Sequence, residues 1–281
     1  MGTAGAGQAS QHRRRLTDAV RSVLPNWLSE VRAERILLVS DFDGTLSEIV
    51  PNPEQARLAP GAARILAALA KRLLRVCVLS SRGSPQLRGL VPVAEVELLG
   101  DYGMTALTER DSRNLQMFNQ QAERLLSRRP GVTVEEKPGS TAIHYRGAPT
   151  AGPRLAAELA PVARRLELVL GSGRAVIEVR PRTALKSLAV SRLLEALQPE
   201  AVIYLGDDDN DRPVFELLAH GSTPHFSVGV ASDESPPGLF THCELVVAGP
   251  RAVVAFLSRL SGALPSAKSR AGRSAAGRSS A

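Results

Sequence analysis

Asp41 and Asp43 stand two residues apart in Asp41-Phe42-Asp43-Gly44-Thr45, directly after the apolar run Ile36-Leu37-Leu38-Val39. On an extended segment two such carboxylates point to opposite sides, but a turn after a strand brings both to one pocket. Paired in this way, one carboxylate can attack phosphorus while the other gives a proton to the departing oxygen. Carboxylates gathered around an anionic substrate repel it and one another, so the chemistry requires a divalent cation and a fixed positive side chain. Mg²⁺ suits the task, because it takes hard oxygen ligands and shares them with phosphate. Asp207, Asp208 and Asp211 follow the apolar run Val202–Leu205 and offer further carboxylates. Lys186, at the start of a helix expected over Leu185–Leu197, can pair with Asp41, and Ser80 can donate its hydroxyl to a phosphoryl oxygen. Taken singly, each has an ordinary reading: an acidic turn, a solvated acidic loop, a surface lysine, a strand-end serine.

These residues share a position in the expected architecture. Ile36–Val39, Val76–Leu79 and Val202–Leu205 are short apolar runs of the kind that form buried strands, and Val96–Leu99, which carries Glu97, reads as a further strand. Each runs into polar, glycine-containing sequence, the end at which open parallel sheets place their ligands. A helix follows Pro60-Gly61, with Ile65, Leu66, Leu69, Leu73 and Leu74 at helical spacing. The alternation predicts a doubly wound, Rossmann-like α/β core. The stretch 106–182 reads differently: helices near Asn114–Arg128 and Pro153–Leu166, with alternating strands Val132–Glu136, Thr141–Tyr145, Leu168–Leu170 and Ala175–Val179 split by glycine turns. It predicts an inserted, smaller α+β cap. The core is then 35–105 and 183–262, preceded by an arm and helix (Leu16–Val31) within 1–34 and followed by a disordered basic tail, 263–281.

Composition narrows the partners. Aromatic residues make up 4% of the 281, too few for the stacking platforms of a base-binding protein. Of the net charge of +7, four cations without an acid (Lys268, Arg270, Arg273, Arg278) sit in the tail. The remainder is mildly basic, as suits a protein handling small anions. Two cysteines make no disulfide framework, and no apolar stretch approaches the roughly 20 residues of a membrane span. The expectation is a cytoplasmic, monomeric protein with no membrane or nucleic-acid partner. Neither a Gly-x-Gly-x-x-Gly after the first strand nor a P-loop is present.

Asp41-Phe42-Asp43-Gly44-Thr45-Leu46, Ser80, Lys186 and Gly206-Asp207-Asp208 with Asp211 resemble, in order, the four motifs of the haloacid dehalogenase superfamily. The resemblance implies a Mg²⁺-dependent phosphatase in which Asp41 becomes phosphorylated and Asp43 protonates the leaving oxygen, then activates water. It implies Mg²⁺ on Asp41, the Asp43 carbonyl and Asp207, with Asp208 and Asp211 behind. Within the insertion, Val134–Arg146 and Ile177-Glu178-Val179-Arg180-Pro181 look like the cap elements of trehalose-6-phosphate phosphatases. That resemblance implies Glu135, Lys137 and Glu178 on the sugar hydroxyls, and places Arg82, Asp101, His144 and Arg146 on the substrate side. Tyr102 stands where that family usually carries His, and Ser81 and Ser187 where it usually carries Gly. The other readings are a phosphatase for another sugar or polyol phosphate, and a non-catalytic sugar-phosphate-binding module. A binder has no need of both nucleophile and acid.

Overall fold

A computed structural model describes residues 23–104, 107–173 and 175–264. Strand β1 (Ile36–Ser40) lies at the middle of a six-stranded, all-parallel sheet, in the order β10-β9-β8-β1-β2-β3. Its partners are β2 (Arg75–Leu79), β3 (Glu97–Leu99), β8 (Ala201–Gly206), β9 (His225–Ala231) and β10 (Leu245–Ala248). The continuous apolar run of β1 has its cause here. Ile36 and Leu38 enter one core, with α1 (Ala62–Ala70), α2 (Ser84–Leu90) and α7 (Gly249–Ala263). Leu37 and Val39 enter another, with α5 (Lys186–Leu197) and α6 (Arg212–His220). All four side chains are fully buried.

The sheet order reverses at β1, which has β8 on one side and β2 on the other. Such a switch point opens a crevice beyond the carboxyl ends of the strands. The backbone N–H of Asp41 donates to Leu205 O at 2.8 Å, and that of Ser80 to Leu99 O at 2.9 Å. The loops that leave β1, β2, β3 and β8 are thereby locked along one edge.

A second sheet is four-stranded and antiparallel, β4 (Thr133–Glu136), β5 (Thr141–His144), β7 (Val176–Pro181) and β6 (Leu168–Gly173) in that order. Helices α3 (Glu109–Leu126) and α4 (Gly152–Arg165) cover one face, where Phe118, Leu155, Leu159, Ile143, Ile177 and Val179 form a separate core. The alternate residues face the cleft above the parallel sheet. In register, Glu135 lies opposite Ala142, and Ala142 opposite Glu178. Glu135 and Glu178 thus stand on strands about 10 Å apart, two strand spacings, with only the methyl of Ala142 between them.

Two expectations change. The helix over Leu16–Val31 falls partly on residues 1–22, outside those described. In the remainder the chain forms only a 3₁₀ turn, Asn26–Ser29, behind Pro25. Proline lacks an N–H and forces the residue before it out of the helical region, which breaks the expected run there. The expected tail lies almost wholly outside the described residues, while Ala263 is the last residue of α7 and Leu264 is buried against the core. Elements α2, α6, α7, β9 and β10 were not anticipated. No helix among the described residues is long and apolar enough to cross a membrane.

Candidate active site

Asp41 is the first residue beyond β1 and is 5% exposed. Lys186, the first residue of α5, reaches it across the crevice: Nζ lies 2.8 Å from Asp41 Oδ1 and 2.7 Å from Asp211 Oδ1. Burial pushes the Asp41 carboxyl up to about 7 against the pull of Lys186, and Asp211 and Asp208 add to the rise. Asp208 is pushed up to about 6, again by burial first and then by Asp211. Burial alone would lower Lys186, yet Asp211 and Asp41 hold it well above its ordinary value. One lysine thus serves a group of acids with negative charge to spare. Carboxylate oxygens of Asp41, Asp207 and Asp211 lie within 4.8 Å of one another. Buried, all-oxygen and under-neutralised, the cluster suits a hard divalent cation.

Asp211 has a particular place in that cluster. Its Oδ1 accepts from Lys186 and, at 2.6 Å, from the Tyr204 hydroxyl; its Oδ2 accepts from the backbone N–H groups of Asp207 and Asp208 at 2.9 and 3.1 Å. Burial and the Asp211 charge push Tyr204 well above its usual range, so the phenol keeps its proton and donates. Asp211 therefore shapes the loop after β8 and fixes Lys186. Asp207 and Asp41 carry the oxygens that can turn to a metal. The Thr45 hydroxyl lies 3.4 Å from Asp207 Oδ1. Gly44, at φ +76°, passes so close that a Cβ there would stand 2.0 Å from Asp207 Oδ2.

Asp43 faces the same cleft, with both oxygens engaged by Arg82: Nε to Oδ2 and Nη2 to Oδ1, each 2.7 Å. The Ser80 hydroxyl lines the cleft and accepts from the Arg82 backbone N–H at 3.2 Å. Across the cleft stand Glu135, Lys137, His144, Arg146 and Glu178 of the cap. His144 Nε2 lies 2.8 Å from Glu135 Oε2, and this hydrogen bond is the main cause holding Glu135 below its ordinary value. Glu178 accepts from Ser140 Oγ at 2.9 Å, from Lys137 Nζ at 3.5 Å, and from the hydroxyl of Tyr102. Burial and the Glu178 charge push Tyr102 well up, which keeps it the donor.

Asp101 is the expected substrate residue that does not line the cleft. Its Oδ2 accepts from the N–H of Ser84 at 3.1 Å, in the first turn of α2, while its Oδ1 is buried without a hydrogen-bond partner among the described residues. Tyr204, Ser140 and Asn210 were missed as site residues. Asn210 lines the cleft and accepts from Arg180 at 3.3 Å. Ser140 lay in the quoted cap motif, whereas Tyr204 was hidden inside an apolar strand.

A trehalose-phosphatase family model matches residues 39–238. The trehalose-phosphate phosphatase of Mycobacterium tuberculosis is 35% identical over 205 residues, covering 66% of this chain and 51% of that protein. The chain thus spans about half the length of the curated relatives it matches. An Aspergillus fumigatus trehalose-6-phosphate phosphatase structure is 25% identical with a TM-score of 0.57, covering 89% of this chain and 97% of that one. The C-terminal domain of the C. albicans enzyme shares the fold, with a TM-score of 0.70 at 22% identity over 90% of this chain and 98% of that one. With the family model covering 39–238, which takes in the whole antiparallel sheet and every one of the cleft carboxylates, the chain belongs to the trehalose-phosphatase family.

Proposed function

We propose that this protein is a Mg²⁺-dependent phosphatase that hydrolyses trehalose 6-phosphate to trehalose and phosphate through a phosphorylated Asp41. The observation that carries this reading is the buried Asp41–Lys186 pair at the mouth of β1, facing the Glu135 and Lys137 side chains across one cleft. The names of the relatives support the sugar.

In the first half-reaction an Asp41 oxygen bonds to phosphorus as the bond from phosphorus to the sugar oxygen breaks, and Asp43 hands that oxygen a proton. In the second, Asp43 takes a proton from water, the water oxygen bonds to phosphorus, and the acyl-phosphate bond breaks to restore Asp41. Lys186 and the Ser80 hydroxyl would stabilise the phosphoryl oxygens throughout. Asp41, Asp207 and the carbonyl of Asp43 would hold Mg²⁺, with Asp208 close behind. Asp211, whose oxygens are both occupied, would stay a scaffold. Bound there, Mg²⁺ supplies charge neutralisation and polarises the phosphoryl group.

Residues 106–182 act in this reading as a cap over a core formed by 35–105 and 183–262. The cap residues Glu135, Lys137, His144, Arg146 and Glu178 recognise the sugar, and closure excludes water. Two unpaired cysteines, Cys77 and Cys243, accord with work in a reducing cytoplasm. Acid-quenching the enzyme during turnover of labelled substrate tests the mechanism. The label should sit on Asp41 and be lost in Asp41→Asn, which should also stop phosphate release while melting like the parent. Turnover by that variant above about a hundredth of the parent's, short of the ~10²-fold that even an auxiliary proton-transfer group contributes, would overturn it.

A further inference from the structure

Arg82 was expected on the substrate side, yet its guanidinium is already committed. Nε and Nη2 form a two-pronged pair with the two oxygens of Asp43, each at 2.7 Å, and Nη1 donates to the carbonyl of Pro53 at 2.9 Å. The guanidinium carbon sits 5.5 Å from the centre of the Phe42 ring. The backbone is fixed as well: Arg82 N–H donates to Ser80 Oγ, and Arg82 O accepts from Asp101 N–H at 2.8 Å. The Arg82 side chain is 8% exposed and that of Asp43 31%. The buried partner is the guanidinium, and the partner open to the cleft is the carboxylate. That is the arrangement of a support and the group it supports.

The neighbouring acid has a different cation. Asp41 pairs with Lys186, from α5, whereas Asp43 pairs with Arg82, from the loop after β2. A planar fork matches both oxygens of a carboxylate and fixes its plane; an ammonium holds one oxygen and leaves rotation free. Without the fork, Asp43 could turn towards Lys186 or towards the oxygens around Asp41, and two acids with distinct tasks would compete for one cation.

We propose that Arg82 is a positioning residue, which keeps Asp43 apart from Asp41 and aimed at the leaving oxygen, and that it acts on the reaction through Asp43 rather than by gripping substrate. The inference rests on the reading of Asp43 as the proton-handling group.

A double-mutant cycle separates the two. Arg82→Ala should lower kcat/KM on trehalose 6-phosphate by about 10²-fold, the low end of what a positioned proton donor contributes. In an Asp43→Asn background the same change should cost less than about threefold, because the group it positions is gone. Arg82→Lys should recover part of the loss, mainly in kcat with KM little moved. The loss should also be smaller on p-nitrophenyl phosphate, whose phenolate departs without a proton. An equal cost of Arg82→Ala in both backgrounds would overturn the proposal, since an arginine that held substrate or merely held the loop would act independently of Asp43. Full activity of Asp43→Asn would instead remove the underlying reading. Should Arg82→Ala fail to fold, Arg82→Lys runs the same cycle, and again a cost independent of Asp43 refutes positioning.

Discussion

Lys186 and Asp41 form an almost buried ion pair at the floor of the cleft: Nζ to Oδ1 is 2.8 Å, with side chains 4% and 7% exposed. The same ammonium holds Asp211, itself fully buried. Removing the lysine leaves both buried acids without their cation, at a cost of about 3–5 kcal/mol, whereas removing Asp41 leaves Lys186 paired with Asp211. Lys186→Met should therefore both stop turnover and lower unfolding free energy by about that amount. Equilibrium denaturation in urea reads the second effect. A variant that is inactive yet as stable as the parent would show that the acids find another cation when the lysine leaves.

The tight passage of Gly44 beside Asp207 makes the proposed metal site testable without touching a carboxylate. A Cβ at residue 44 would meet Asp207 Oδ2 at 2.0 Å, and the backbone there has φ +76°. Gly44→Ala should displace the Asp207 carboxylate. The expected result is a rise of at least tenfold in the Mg²⁺ concentration needed for half-maximal activity, close to the effect of Asp207→Asn. Chelating divalent metal from the parent should abolish turnover, and Mg²⁺ should restore it. Undiminished activity in chelator would sink the metal assignment altogether.

Much of this was legible in the residues. A strand buried on both faces must be apolar throughout, so β1, β2 and β8 announced themselves, and Asp41, Ser80 and Asp207 inherited their places from the strand ends. The cap strands were readable from their alternation, because one face meets α3 and α4 while the other faces the cleft. Pairings between distant residues were not legible. Arg82 and Asp43 are 39 positions apart, and nothing local distinguishes an arginine that binds a ligand from one that holds a carboxylate. The contact of Asp101 was hidden for the same reason: only the fold brings Ser84, in the unanticipated α2, to its Oδ2. Tyr204 looked like one more apolar strand residue, and only the fold shows its hydroxyl on Asp211.

Tyr102 offers a cleaner test of how the cap is seated. It occupies a left-handed backbone conformation, φ 58°, and joins core to cap by donating to Glu178, while Arg180 of β7 lies over its ring at 5.3 Å. Tyr102→Phe keeps the ring under Arg180 and deletes only the hydroxyl. A hydrogen bond to a charged group contributes about 1.5–3 kcal/mol, so the variant should lose stability of that order in a denaturant titration. Glu178 retains Ser140 and Lys137 as donors, and the kinetic loss should fall on KM more than on kcat. A large fall in kcat at unchanged KM would mean that Tyr102 takes part in the chemistry.

The sugar is tested by the row of side chains that faces the cleft from the cap. Glu135 and Lys137 line the cleft, and Ala142 leaves room between Glu135 and Glu178. If they grip trehalose hydroxyls, Glu135→Ala and Lys137→Ala should each lower kcat/KM on trehalose 6-phosphate by about ten- to a hundredfold, the equivalent of one charge-assisted hydrogen bond. On p-nitrophenyl phosphate, which is too short to reach the cap, the loss should be several-fold smaller. Binding energy from the remote sugar is what closes the cap, so the difference belongs in kcat as well as KM. Glu178→Ala makes a poorer probe, because it strands the hydroxyls of Tyr102 and Ser140 and will cost stability too. Equal losses on both substrates would indicate a folding defect rather than lost recognition. A parent enzyme that turned over another sugar phosphate faster than trehalose 6-phosphate would keep the Asp41 chemistry and take away the sugar, because the carboxylates and the cap row are built on separate sheets and can diverge separately.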